Sequence, residues 1–229
     1  MILSKLVYDV REGIRKHSDD NDISDEYIIH LINTHRSYII RNELNNFQRV
    51  SPQSVAQKLC IGLEEIPASE CGVDTCETML RSTTKIPTVL DLHTGVSIID
   101  VRSVLKNVKP FKLTTKQRAT FRSGNFNKIT AYVDTDDYLY LTGGDSVLSK
   151  MLQCVVITGV FEDPTEVVDI ENRCESCKEH SDNTCDDILD MDYPIPSNLI
   201  KFVRDEIVNK LAPIINIPND KVNDANEQH

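Results

Sequence analysis

Apolar residues recur every third or fourth position at both ends of this chain and every second position in its middle. A helix repeats every 3.6 residues and a strand every two, so one segment cannot satisfy both periods. Near the N-terminus, Leu3, Leu6, Val7, Val10 and Ile14 predict a helix over residues 3–16. A second helix is predicted from about residue 25 to 44, with Ile28, Leu31, Ile32, His35, Ile39 and Leu44 on its apolar face. After Pro194 and Pro196, Ser197 is placed to cap a third helix carrying Ile200, Val203, Ile207 and Leu211, and Pro213 is expected to stop it. Between these ends, Leu59, Ile61 and Leu63 alternate with other residues, and "CVVITGVF" is a compact β-branched run. "KIPTVLDLHTGVSIIDV" predicts two strands about the turn His93-Thr94-Gly95, and "NKITAYVDTDDYLYLTGG" a hairpin with Asp134 to Asp137 at its tip.

The fold class expected is α+β, with the terminal helices forming one helical bundle and a mostly antiparallel β module inserted between them. The boundaries predicted are a helical hairpin over 1–48, a β-rich module over 49–163 and an acidic, cysteine-rich connector without a period over 164–195. A bundle helix over 196–213 and a polar tail over 214–229 complete the chain.

The stretch "SDDNDISDEYIIHLINTHRS" crowds five carboxylates at the start of the second helix. A calcium loop counted from Asp20 fails, because Asp25 stands where glycine is needed and Leu31 where a bidentate Glu is needed. The stretch reads instead as a helix entrance: Ser24 caps, and Asp25 and Glu26 face the positive end of the helix dipole. His35 reads as a hydrogen-bonded core or edge histidine rather than a ligand.

No enzyme is expected. The chain has no phosphate-binding glycine loop, no nucleophile elbow and no helical pair of metal-spaced histidines, and "TGGDS" at 142–146 reads as a tight turn. Cys174, Cys177, His180 and Cys185 follow C-x2-C-x2-H-x4-C, the spacing on which a zinc-stabilised, non-catalytic binding module would rest. The preferred reading is a solvated acidic loop with incidental thiols, and the pair Cys71 and Cys76 is weaker still, so no metal and no cofactor are expected. Elemental analysis of protein prepared under reducing conditions is therefore expected to find no stoichiometric zinc. About one zinc per chain, with stability lost to a chelator, would establish the alternative.

Seven cysteines are too few and too scattered for a disulfide scaffold, and no apolar run reaches the roughly 20 residues that span a bilayer. A soluble protein of a reducing cytoplasm is expected, without a membrane partner. With 25 basic against 36 acidic residues the formal net charge is -11, which argues against tight binding to a phosphate backbone. Arg36, Arg41, Lys201 and Arg204 lie on helices and are expected to make surface or intersubunit ion pairs.

The order of phrases along the chain resembles one family. "SDDNDISDEYIIHLINTHRSYIIRNEL", "VAQKLCIGLEEI", "KIPTVLDLHTG", "GVFEDP" and "YPIP" before a last helix are similar to the head-to-tail adaptor, or first ring, proteins of short-tailed phages of Bacteroidetes, the crAss-like phages among them. The resemblance covers residues 8–212. It implies a virion structural protein at the head–tail neck: a homo-oligomeric ring of twelve copies docked on the portal protein and followed by further tail ring proteins. It implies that genomic DNA passes through that ring, that the chain waits in the host cytoplasm before assembly, and that no catalytic residues are carried over.

Overall fold

A computed structural model describes residues 1–15, 23–46, 50–67, 78–93, 95–104, 109–121, 129–143, 151–173 and 187–215. Helix α1 (Leu3–Arg15) buries Leu3, Leu6, Val7, Val10 and Ile14, the residues its period selects. Helix α2 (Asp25–Asn45) begins where Ser24 Oγ accepts a hydrogen bond from the Tyr27 N–H at 3.3 Å, with Asp25 and Glu26 in the first turn. A short turn of helix, α3 (Pro52–Val55), leads into the strands.

The β module follows as β1 (Gln57–Pro67), β2 (Thr78–Ser82), β3 (Asp91–Leu92), β4 (Gly95–Val96), β5 (Ile98–Ser103) and β6 (Lys112–Leu113). Helix α4 (Lys116–Phe121), β7 (Thr130–Val133), β8 (Leu139–Thr142) and β9 (Cys154–Gly159) complete it. Then come α5 (Pro164–Arg173), a 3-10 turn at Ile188–Asp190 and α6 (Ser197–Ile215). The class is α+β, with terminal helices around a mostly antiparallel sheet, as the two periods predict.

Seven strands pair in the order β5-β9-β1-β2-β8-β7-β6, and β3 and β4 form a separate hairpin. Only the contact of β6 with β7 is parallel among the described pairings. Strand β1 serves two partners in succession: Gln57 to Gly62 pair with β9, and Leu63 to Pro67 pair with β2. It therefore joins two half-sheets that no other described strand connects through its ladder. The outer strands turn toward each other, for the Phe111 N–H donates to the Val101 carbonyl at 2.7 Å. Leu59, Ile61, Leu80, Val101, Phe111, Leu139, Leu141, Val155 and Ile157 fill the space between the halves.

The hairpins sit where predicted. Asp91 pairs with Val96 and Leu92 with Gly95, whose φ of 113° belongs to the left-handed region that glycine tolerates. At the β7–β8 tip Asp137 takes φ 65°. Each strand of the first hairpin is only two residues long, and the chain then leaves it for β5 in the large sheet.

Two expectations are corrected. Residues 164–173 form α5 rather than an aperiodic connector: Asp163 Oδ1 accepts from the Thr165 N–H at 2.8 Å and Pro164 opens the helix, a strong start signal hidden behind the end of a strand. Val167 of α5 is buried in the β core, and Glu171 accepts from the Cys60 N–H of β1 at 3.3 Å. Pro213 does not stop α6, which runs on to Ile215. So near the helix end proline removes one N–H from a turn with few backbone bonds left to lose.

The terminal helices share one core. Leu3, Val10, Ile28, Ile32, Leu199, Val203, Ile207 and Leu211 pack together, joined by Leu90 and Val160 from the β module. At Gly13 the helices approach closely enough that an added Cβ would lie 2.7 Å from Val208 Cγ2, so glycine is what admits α6 at that level.

Candidate functional site

Beside the apolar residues Ile28, Leu31, Ile32, Ile40 and Leu44, helix α2 buries three polar ones. Asn33, Arg36 and Ser37 are buried on its inner side, while Tyr27 and Tyr38 stand exposed on its outer side. The buried polar groups are satisfied by a junction of three chain segments. Arg36, with no exposed surface, donates from Nε to the Pro194 carbonyl at 2.9 Å, from Nη1 to the Phe161 carbonyl at 2.9 Å and from Nη2 to the Val55 carbonyl at 3.5 Å. Its guanidinium also lies 5.7 Å from the centroid of the Tyr193 ring. Tyr193 donates its hydroxyl proton to Asn33 Oδ1 at 2.7 Å, and Asn33 Nδ2 donates to Asp163 Oδ1 at 2.8 Å. Ser37 Oγ donates to the Glu162 carbonyl at 2.6 Å, and Arg41 pairs with the Glu162 carboxylate at 2.5 Å.

This geometry corrects the expectation for Arg36. It makes no surface or intersubunit pair, because the planar fork of donors is committed to carbonyls inside the chain. Burial pulls its pKa down, while Tyr193 and the Asp163 carboxylate push it up; burial drives the Tyr193 hydroxyl far up. Two of the other three cations are bound locally: Arg41 to Glu162, and Arg204 to its neighbour Asp205 at 2.7 Å.

His35 is half-buried on the α6 side of α2. Burial and then Lys210 lower its pKa, and Glu206 opposes them. Its Nε2 is buried without a hydrogen-bond partner among the described residues, which departs from the hydrogen-bonded histidine expected. Burial first, then Asp163, Asp137 and Asp169, raise the pKa of Glu166; burial also raises that of Glu171.

Among the described residues, no three His, Cys, Asp or Glu side chains gather as a metal ion would require. A cleft of about 270 Å³ opens between the end of α2 and the β3–β4 hairpin, lined by Arg41, Asn45, Asp91, Leu92 and His93. That is below the roughly 300 Å³ at which small-molecule sites begin. Cys174, Cys177, His180 and Cys185, the pair Cys71 and Cys76, most of the carboxylate loop before Ser24, and the polar tail after Ile215 lie outside the described residues. Cys60 is disulfide-bonded, and Cys154 is a thiol. No described helix is long and apolar enough to cross a membrane.

The junction ties together the phrases on which the family resemblance rests: α2, the Phe161–Asp163 corner of "GVFEDP" and the Tyr193–Pro194 step of "YPIP". The profile of a family described as phage tail ring protein 2 matches residues 5–229. The chain belongs to this family. It is also 24% identical over 234 residues to "Ring protein 2" of Bacteroides phage crAss001, an alignment covering 99% of this chain and 97% of that relative. A family of phage tail ring proteins makes this chain a structural component of a virion tail. For a ring component, the polar junction matters as scaffold, since it holds bundle and sheet as one body on which contact surfaces are displayed.

Proposed function

We propose that this chain forms a closed ring of identical copies at the head–tail neck of a phage, stacked on the axis of the portal. One face of the ring meets the portal side and the other meets further tail rings. The observation that carries this reading is the family match over residues 5–229. Twelve copies follow from the resemblance in the sequence, and a closed ring requires one head-to-tail contact repeated about an axis. The role is non-catalytic, and the chain waits in the host cytoplasm until it is assembled.

DNA passes through the ring without being held. Duplex affinity comes mainly from Lys and Arg releasing counterions from phosphates. Here acidic residues outnumber basic ones, and Arg36, Arg41 and Arg204 already have partners within the chain. A charge of -11 per copy, repeated around a ring, repels a duplex within a Debye length of about 8 Å.

Two measurements test the reading. A density map of the virion should find the chain in the neck rings, and density in the capsid shell or fibres would overturn the assignment. A titration with duplex DNA at physiological salt, on the free chain and the assembled ring, should find no tight complex. Submicromolar binding that weakens steeply with salt would show that the ring grips DNA.

A further inference from the structure

Charge is not spread evenly along this chain. Residues 101–133 hold eight Lys or Arg and no Asp or Glu, leaving 17 of the 25 basic residues to balance all 36 acidic ones elsewhere. The fold gathers the described part of this stretch at one end of the strand order, where β6 pairs with β7, Phe111 bonds to β5 and α4 packs on β7. Arg102 is taken by Asp100 and Lys116 by Asp134. Lys109, Lys112 and Arg118 are exposed and form no ion pair among the described residues. The basic residues on the terminal helices are interspersed with acidic ones, for Glu12 pairs with Arg15 on α1 and Glu206 stands one turn from Lys210 on α6.

Helix α5 carries the opposite charge. Glu166 and Asp169, three positions apart and so on one face of the helix, also form no ion pair among the described residues. After burial, the charges that most raise the pKa of Glu166 are the carboxylates of Asp163, Asp137 and Asp169. Helix α5 lies against β1, and β1 is separated from β6 by β9 and β5 on one side and by β2, β8 and β7 on the other. The basic and acidic patches are therefore different parts of the surface.

We propose that the β6–α4 cations of one copy face the α5 carboxylates of the next copy around the ring. The inference rests on the ring reading above and adds the two surfaces and the direction of the contact. A head-to-tail contact joins two different patches, and each copy must carry both. Opposite charges there fix register and exclude like-with-like pairing more than they add affinity. Duplex DNA is the other polyanion near the ring. It would meet these cations together with the net charge of -11 of the whole copy, whereas α5 offers matching charge at short range. Holding the cations between copies also keeps them from phosphates in the lumen.

The test uses the full chain. Lys109→Glu, Lys112→Glu and Arg118→Glu together reverse the basic patch, and Glu166→Lys with Asp169→Lys reverse the acidic one. None of the five side chains is buried, so circular dichroism and melting should stay close to wild type. Each reversal alone sets like charges against each other and is expected to lower ring formation and incorporation into particles by roughly tenfold or more. A chain carrying both reversals is complementary again and should recover most of the loss. Normal assembly of either single reversal, or no recovery in the combined chain, overturns the pairing while leaving the ring reading intact. Rings that form normally from the basic-patch variant but fail to enter particles would assign the patch to another virion protein, and normal rings with weakened duplex binding would assign it to DNA; both overturn the contact between copies. A wild-type chain found in particles without ring symmetry overturns the ring reading itself.

Discussion

Arg36→Ala is expected to destabilise the chain by about 3–5 kcal/mol, the range for removing one member of a buried charged network. The wild-type side chain has no exposed surface and satisfies the carbonyls of Pro194, Phe161 and Val55. Alanine leaves all three acceptors dry, opens a cavity, and strips Asp163 of a compensating positive charge. At about 2–4 °C per kcal/mol for a chain of this size, melting should fall by roughly 10 °C. Arg36→Lys should recover little, because one ammonium on a flexible stem cannot reach three carbonyls that lie in different directions. The midpoint of urea denaturation measures both variants. A shift of less than about 1 kcal/mol for alanine would mean the junction is not what joins bundle to sheet.

Ile207→Asp is expected to unfold the bundle, and Ile32→Asp likewise. Both isoleucines are fully buried in the core shared by the terminal helices. Each change loses about 1.5–3 kcal/mol of apolar burial and adds several more for a carboxylate without a partner. That total is comparable to the whole stability of a typical domain, about 5–15 kcal/mol. The pH response provides a second reading. A carboxyl buried in an apolar core has its folded pKa raised above the unfolded value. The folded state then binds the proton more tightly, so the variants should regain stability as pH falls and lose it as pH rises through the folded pKa. Helical circular dichroism against urea at two pH values tests this. Native-like stability of either variant at neutral pH would refute the shared core.

Much of this architecture was legible because period alone separates helix from strand. The five residues chosen on α1 are the five it buries, and Leu59 and Ile61 enter the β core. What escaped was whatever depends on partners distant in sequence. Arg36 sits among apolar residues at helical spacing, yet two of its three acceptors lie 125 and 158 positions away, and no local pattern announces them. Helix α5 escaped for a different reason: its start signal, Asp163-Pro164, coincides with the end of a strand run, where a proline can close a strand as readily as open a helix. Two readings were possible for one dipeptide, and the buried Val167 decides between them.

The bundle draws α1 and α2 from the first part of the chain and α6 from its end. Roughly 150 residues must therefore leave the ribosome after α2 before its last partner exists. At synthesis rates of about 5–20 residues per second, that interval is roughly 8–30 s. Throughout it, Ile28, Ile32 and their neighbours lack the helix that finally covers them. The first helices are thus the parts most in need of a chaperone during translation, and the chain acquires its finished surface only when its last helix is made.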